Sequence, residues 1–138
     1  MARSVAAEVA SAMQEIFDSG QFRIARMQLI DDFGGSDDAS MEANNTSAFN
    51  CRLVEGSGGL SKHARGLAID INPVQNPYRD RTGTYPPAGR AFDEPHERKP
   101  GIPGLITRGD VVTRAFARIG WSWGANFRNS KDYQHFAR

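Results

Sequence analysis

Gly66-Leu67-Ala68-Ile69-Asp70-Ile71 is the stretch on which the reading of the fold turns. Successive side chains of a strand point to opposite faces. Leu67, Ile69 and Ile71 therefore point one way, into a core. Gly66, Ala68 and Asp70 point the other way. A carboxylate on a face otherwise lined by the smallest side chains has open space beside it.

Towards the N-terminus, Val5, Val9, Met13, Ile16 and Phe17 recur every three or four residues and predict a helix over about 4–18. Ser4 is its expected cap, and Gly20 lies just past its end. Phe22 to Ile30 alternates imperfectly and reads as a strand. Asp31 to Asn45 is small and acidic and reads as a solvated loop. Its aspartates, Asp31, Asp32, Asp37 and Asp38, match a calcium-binding EF-hand loop only loosely. Thr46 to Val54 reads as a short strand or extended segment.

Towards the C-terminus, all seven prolines fall between Pro73 and Pro103, in a long stretch read as lacking regular structure. Residues 109–120 (GDVVTRAFARIG) predict a second helix. Asp110 is its N-cap, Val112, Ala115, Phe116 and Ile119 its stripe, and Gly120 its stop. Trp121–Trp123 and Tyr133–Phe136 read as short strands, with Tyr133 and His135 on one face. Strands flanked by two helices without regular alternation predict an α+β fold with a small, mostly antiparallel sheet.

The 138 residues suit one domain, expected over 1–138 with a proline-rich loop at about 73–106. With 39% hydrophobic and 24% charged residues, the composition is that of an ordinary globular chain. Seventeen Lys+Arg against sixteen Asp+Glu leave a net charge of +1, without the basic excess of a nucleic-acid binder. No apolar run approaches the roughly 20 residues of a membrane span. Glu8 interrupts any secretion-signal core, so the chain reads as cytoplasmic or as a mature fragment. The single Cys51 excludes an internal disulfide and a multi-cysteine zinc site, and is expected to be a small buried hydrophobe.

The histidines are His63, His96 and His135. His96 lies in the proline-rich loop and reads as solvated. A catalytic zinc takes three His or carboxylate ligands and leaves one position open. A further carboxylate, not bound to the metal, takes and returns the proton. His63, Asp70, His135 and Asp132 supply that inventory. The helical H-E-x-x-H signature is absent. On spacing alone, a chance H-x6-D and a structural Asp132–His135 pair stay open beside the metal site.

Ser61-Lys62-His63-Ala64-Arg65-Gly66-Leu67-Ala68-Ile69-Asp70 resembles the S-x-H-x-x-G-x-A-x-D motif of the VanY-like D-alanyl-D-alanine carboxypeptidases. These zinc peptidases are grouped with D-Ala-D-Ala dipeptidases and L-alanyl-D-glutamate endolysins. Gly120-Trp121-Ser122-Trp123-Gly124, then Asp132-Tyr133-Gln134-His135-Phe136, resembles the family's closing G-W-x-W-G…D-x-x-H-F. Asn45 to Arg52 resembles the segment that carries the family arginine, and Asn72-Pro73 and Asn76-Pro77-Tyr78 follow as in one bacterial branch. The matches run in order over about residues 30–136. Gly124-Ala125-Asn126-Phe127 departs from the pattern, where many relatives have a second Gly and a later Trp.

The resemblance implies a hedgehog/DD-peptidase-like fold and one zinc ion per chain, with His63, Asp70 and His135 as ligands. It gives Asp132 the general-base position and Arg52 the place of the arginine that faces the oxyanion or substrate. Ser61, Tyr78 and Trp123 are the expected substrate-side residues. The implied activity is hydrolysis of a peptidoglycan stem peptide next to a D-amino acid. Cleavage of the L-alanyl-D-glutamate bond, or a non-catalytic zinc module on the same fold, are the alternatives. The expected setting is extracellular or the cell envelope, with the cytoplasm left open. A monomer is expected, with no nucleic-acid partner and no membrane span.

Overall fold

The computed structural model describes residues 1–53 and 58–138. Helix α1 spans Arg3–Ser19 and α3 spans Val111–Arg118. A short helix α2, Asp37–Glu42, and three of six short strands lie between them, and the other three strands follow α3. These are β1 (Ala68–Asp70), β2 (Tyr78–Arg79), β3 (Thr84–Tyr85), β4 (Ser122–Trp123), β5 (Lys131–Asp132) and β6 (His135–Ala137). The strands form two three-stranded antiparallel sheets, ordered β1-β6-β4 and β3-β2-β5. The architecture is α+β, with two small sheets where one was expected.

The α1 stripe packs on α3 and on the first sheet. Val5, Val9, Ala12 and Ile16 are buried at helical spacing. They meet Val112 and Phe116 of α3, together with Ile69, Ile71 and Phe136. Phe116 stacks on Phe136 with ring centroids 4.6 Å apart. Phe17, assigned to the stripe, is instead 79% exposed, and Ala12 takes the inward place. Nor does Ser4 cap α1. Ala2 holds that position, and its N–H donates to the Gly66 carbonyl at 2.9 Å. That close approach explains Gly66: its φ is +68°, and a Cβ there would lie 2.4 Å from the Ala2 nitrogen. Gly66, expected to leave space beside Asp70, instead makes room for the N-terminus. Asp110 caps α3 as read, accepting from Thr113 N at 2.9 Å.

Other elements differ from the sequence reading. Residues 22–29 form no strand; two buried asparagines hold them instead. Asn72 Oδ1 accepts from Ala25 N at 2.9 Å, and Asn45 Oδ1 accepts from Gln28 N at 2.8 Å. Within the acidic stretch read as a loop, Ile30–Phe33 forms a 3-10 turn and Asp37–Glu42 forms α2. Ser36 caps α2, its Oγ accepting from Ala39 N. Thr46 to Leu53 forms no strand; it joins β1 through a bridge between Ser47 and Asp70 and turns at Asn50–Arg52, where Arg52 N donates to the Asn50 carbonyl at 3.0 Å. Val54, the last residue assigned to that segment, lies outside the described residues. Cys51 is exposed, not buried.

The proline-rich stretch is ordered too, as β2, β3 and a 3-10 helix at Pro87–Phe92. Its anchor is Asn76, wholly buried. Asn76 Nδ2 donates to the carbonyls of Ile71, Asn72 and Gly104. Its Oδ1 accepts from Ile106 N at 2.7 Å and from Arg98 at 2.9 Å. Arg98 also donates to the carbonyls of Gln75, Phe92 and Ile106 and lies over the Tyr133 ring at 3.8 Å. A segment without regular hydrogen-bond ladders must satisfy its buried backbone groups otherwise; here two side chains do so.

Asn76→Ala leaves the Ile106 N–H and several carbonyls buried without these partners. At about 1–3 kcal/mol for each orphaned group, urea unfolding at constant m-value is expected to show a loss of roughly 3 kcal/mol or more. Gln14→Ala on the exposed face of α1 serves as the control, expected within about 0.5 kcal/mol.

Candidate active site and metal centre

Register places the core of the site. β1 and β6 pair so that Asp70 lies opposite His135, Ile69 opposite Phe136 and Ala68 opposite Ala137. Asp70 and His135 emerge on the same face, as directly opposed residues must. His63 arrives from a tight turn. Ser61 Oγ accepts from Ala64 N at 3.0 Å, and the Gly66 N–H closes on the His63 carbonyl at 2.9 Å.

The three side chains converge. His135 Nδ1 lies 2.9 Å from Asp70 Oδ1, and His63 Nε2 lies 3.1 Å from Asp70 Oδ2. The two ring nitrogens are 3.2 Å apart. His63 Nδ1 lies 2.8 Å from the Ala48 carbonyl, which can only accept. Nδ1 therefore carries a proton, so when the ring is neutral its lone pair lies on Nε2, on the side of Asp70 and His135.

Electrostatics follow from this packing. Burial opposes an imidazolium at His63, but the Asp70 charge outweighs it and pushes His63 up to about 9. His135 also rises, its hydrogen bond to Asp70 overcoming burial. Burial opposes the charge on Asp70, yet the facing imidazoles pull it far below the usual carboxylate range. A cation bound between these three groups would displace the imidazole protons that lie between them. Candidate ligand atoms of His63, Asp70 and His135 all lie within 4.8 Å of one another. Two imidazoles and one carboxylate are the donor set of a catalytic zinc site, so these residues fit such an ion.

Asp132 belongs to the other sheet. It sits in β5 opposite Tyr78 of β2. The chain then crosses to the first sheet within three residues, through Tyr133 and Gln134. Burial and the neighbouring Asp70 carboxylate push Asp132 up to about 7. Its Oδ1 is buried with no hydrogen-bond partner among the described residues. Gly124 lies against both residues. A Cβ there would sit 2.6 Å from the Asp132 carbonyl oxygen and 3.2 Å from His135 Cβ.

A cleft of about 700 Å³ opens over these groups. Arg52, Ser61, His63, Asp70, Tyr78, Asp132 and His135 all line it. Trp123 does not. It is 9% exposed in the core, and its Nε1 donates to the Tyr133 carbonyl at 2.8 Å. Its neighbours Phe136 and Tyr133 claim the ring that was assigned to substrate. The cleft also includes Asp37, Met41, Gln134 and the exposed ring of Phe127, to which no role was given. The Ala48 carbonyl carries no sequence signal at all, because every residue has one. Gly124 had one, as the last residue of G-W-x-W-G.

Residues 55–138 match the model of the D-alanyl-D-alanine carboxypeptidase family. The chain belongs to that peptidase family. No match was found among curated proteins or among solved structures.

A cation that binds only the folded chain stabilises it, by about 3 kcal/mol at a hundred times Kd. Zinc is expected to raise the thermal midpoint of the wild type in differential scanning calorimetry. His63→Ala should abolish the shift, and Gly124→Ala should shrink it by displacing the backbone at Asp132 and His135.

Proposed function

We propose that the chain is a zinc-dependent peptidase. It hydrolyses peptidoglycan stem peptides next to a D-amino acid, in the manner of a D-Ala-D-Ala carboxypeptidase. One observation carries this reading. The His63–Asp70–His135 donor set stands beside a buried carboxyl oxygen of Asp132 that has no hydrogen-bond partner among the described residues, in a chain of that peptidase family. A metal used only to hold the fold together has no need of the second carboxylate.

His63 Nε2, His135 Nδ1 and the Asp70 carboxylate would hold the ion. When bound, zinc supplies a Lewis acid that polarises the scissile carbonyl and acidifies water. The Ala48 carbonyl keeps the His63 proton on Nδ1, which leaves Nε2 free to bind. Asp132 receives the proton of the attacking water at Oδ1 and delivers it to the nitrogen of the leaving D-amino acid. A carboxyl pushed up to about 7 suits both directions of that transfer near neutral pH. The Arg52 guanidinium faces the oxygen on which negative charge develops. Ser61 and Tyr78 line the cleft and would face the substrate. Water attacks directly, so no serine or cysteine nucleophile is required. All of these groups come from one chain, and a monomer suffices. The substrate places the enzyme outside the cell or in its envelope.

Asp132→Asn is expected to keep one zinc per chain by elemental analysis while the turnover number falls about 10²–10⁴-fold. Unchanged turnover removes Asp132 from the chemistry. Incubation with a defined pentapeptide stem should release a single D-alanine by mass spectrometry. Fragments cut between L-alanine and D-glutamate would establish the endopeptidase instead, and an intact peptide a non-catalytic module.

A further inference from the structure

We propose that Asp37 is a positioning residue that aims Arg52 into the cleft. The inference rests on the reading of Arg52 given above. Asp37 belongs to the acidic stretch that the sequence presented as a solvated loop. In the structure it stands in the first turn of α2 and lines the same cleft as His63, Asp70 and His135.

The Arg52 side chain is 38% exposed. A long, half-exposed arginine samples many rotamers unless something holds it. Asp37 supplies the hold, its Oδ2 lying 2.8 Å from Arg52 Nε. The carboxylate is itself fixed, because its Oδ1 accepts from Asn50 Nδ2 at 3.1 Å and Asn50 is buried. The helix beneath Asp37 is tied down in turn. Asn45 Nδ2 donates to Ser40 Oγ at 3.1 Å, and Gln134 Nε2 reaches Met41 Sδ at 3.5 Å. Asn50, Asp37 and Arg52 therefore form a relay from buried backbone to cleft.

The geometry of the guanidinium gives the relay its use. Asp37 stands against the Nε side of the guanidinium as an ion pair, with Nε–H itself making no hydrogen bond among the described residues, and a guanidinium held from that end can present its terminal nitrogens to an anion in the cleft. An ion pair exposed to this degree adds little to stability. Its consequence is orientation, and a small misplacement of a group facing the reacting centre lowers rate strongly.

The test uses the zinc-loaded chain and a stem peptide ending in D-Ala-D-Ala. Arg52→Ala is expected to lower kcat/KM about a hundredfold, with part of the rate restored by millimolar guanidinium chloride. Asp37→Ala should lower kcat/KM about tenfold or more, at unchanged zinc content and thermal midpoint. The double variant should be no slower than Arg52→Ala alone, and guanidinium should fail to restore it, because the anchor for the added cation is gone. Asp37→Asn, which keeps the shape and removes the charge, replaces the alanine variant if that does not fold. Additive losses, or equal rescue with and without Asp37, overturn the proposal. Full activity of Arg52→Ala would instead sink the role given to Arg52, and the proposal with it.

Discussion

Asp70 is a carboxylate that folding has taken out of water, at 4% exposure. An ion so placed costs several kcal/mol unless partners compensate it. Each of its oxygens meets one imidazole nitrogen, at 2.9 and 3.1 Å. One of those imidazoles comes from the opposing strand and the other from the turn just ahead of β1. A one-residue slip of β6 would carry His135 to the far face of the sheet and leave half of Asp70 unpaired. Sheet register and site geometry are therefore a single constraint.

The second carboxylate obeys a different one. Asp132 and His135 are three residues apart, yet they belong to different sheets. The crossing strands Tyr133 and Gln134 between the sheets, and Trp123 and Arg98 hold Tyr133 in place. This separation keeps Asp132 beside the donor cluster while its backbone pairs with Tyr78, so that burial and the Asp70 charge both act on its carboxyl. Two carboxylates on adjoining sheets are thereby driven in opposite directions, Asp70 down and Asp132 up. The acid–base role proposed for Asp132 draws on that divergence.

Around this centre the molecule is stitched by polar side chains more than by sheet. Asn45, Asn72 and Asn76 are wholly buried, and each serves backbone groups far away in the chain. Asn72 adopts a φ of +45°, a left-handed conformation that asparagine tolerates better than most residues. Its carboxamide spans from Arg23 O to Gly104 O. Strands of two or three residues, as here, cannot by themselves immobilise a cleft wall, and these cross-links take over that task.

Local pattern determined a good deal of this protein. The 3.6-residue period marked α1 and α3, Asp110 marked a cap, and the alternation in 66–71 put Asp70 opposite Ile69 and Ile71. Those signals are legible because each arises within one turn or one strand. The motif residues around His63, Asp70, Asp132 and His135 were legible as well, through resemblance to a family. Tertiary structure decided the rest. It turned Phe17 outward, buried Trp123 in the core, exposed Cys51 and brought Asp37 to Arg52. It also folded the proline-rich stretch around Asn76 and Arg98. Each of these depends on what a residue meets from a distant part of the chain. Such partners are set by how helices and sheets pack, and no local period encodes them.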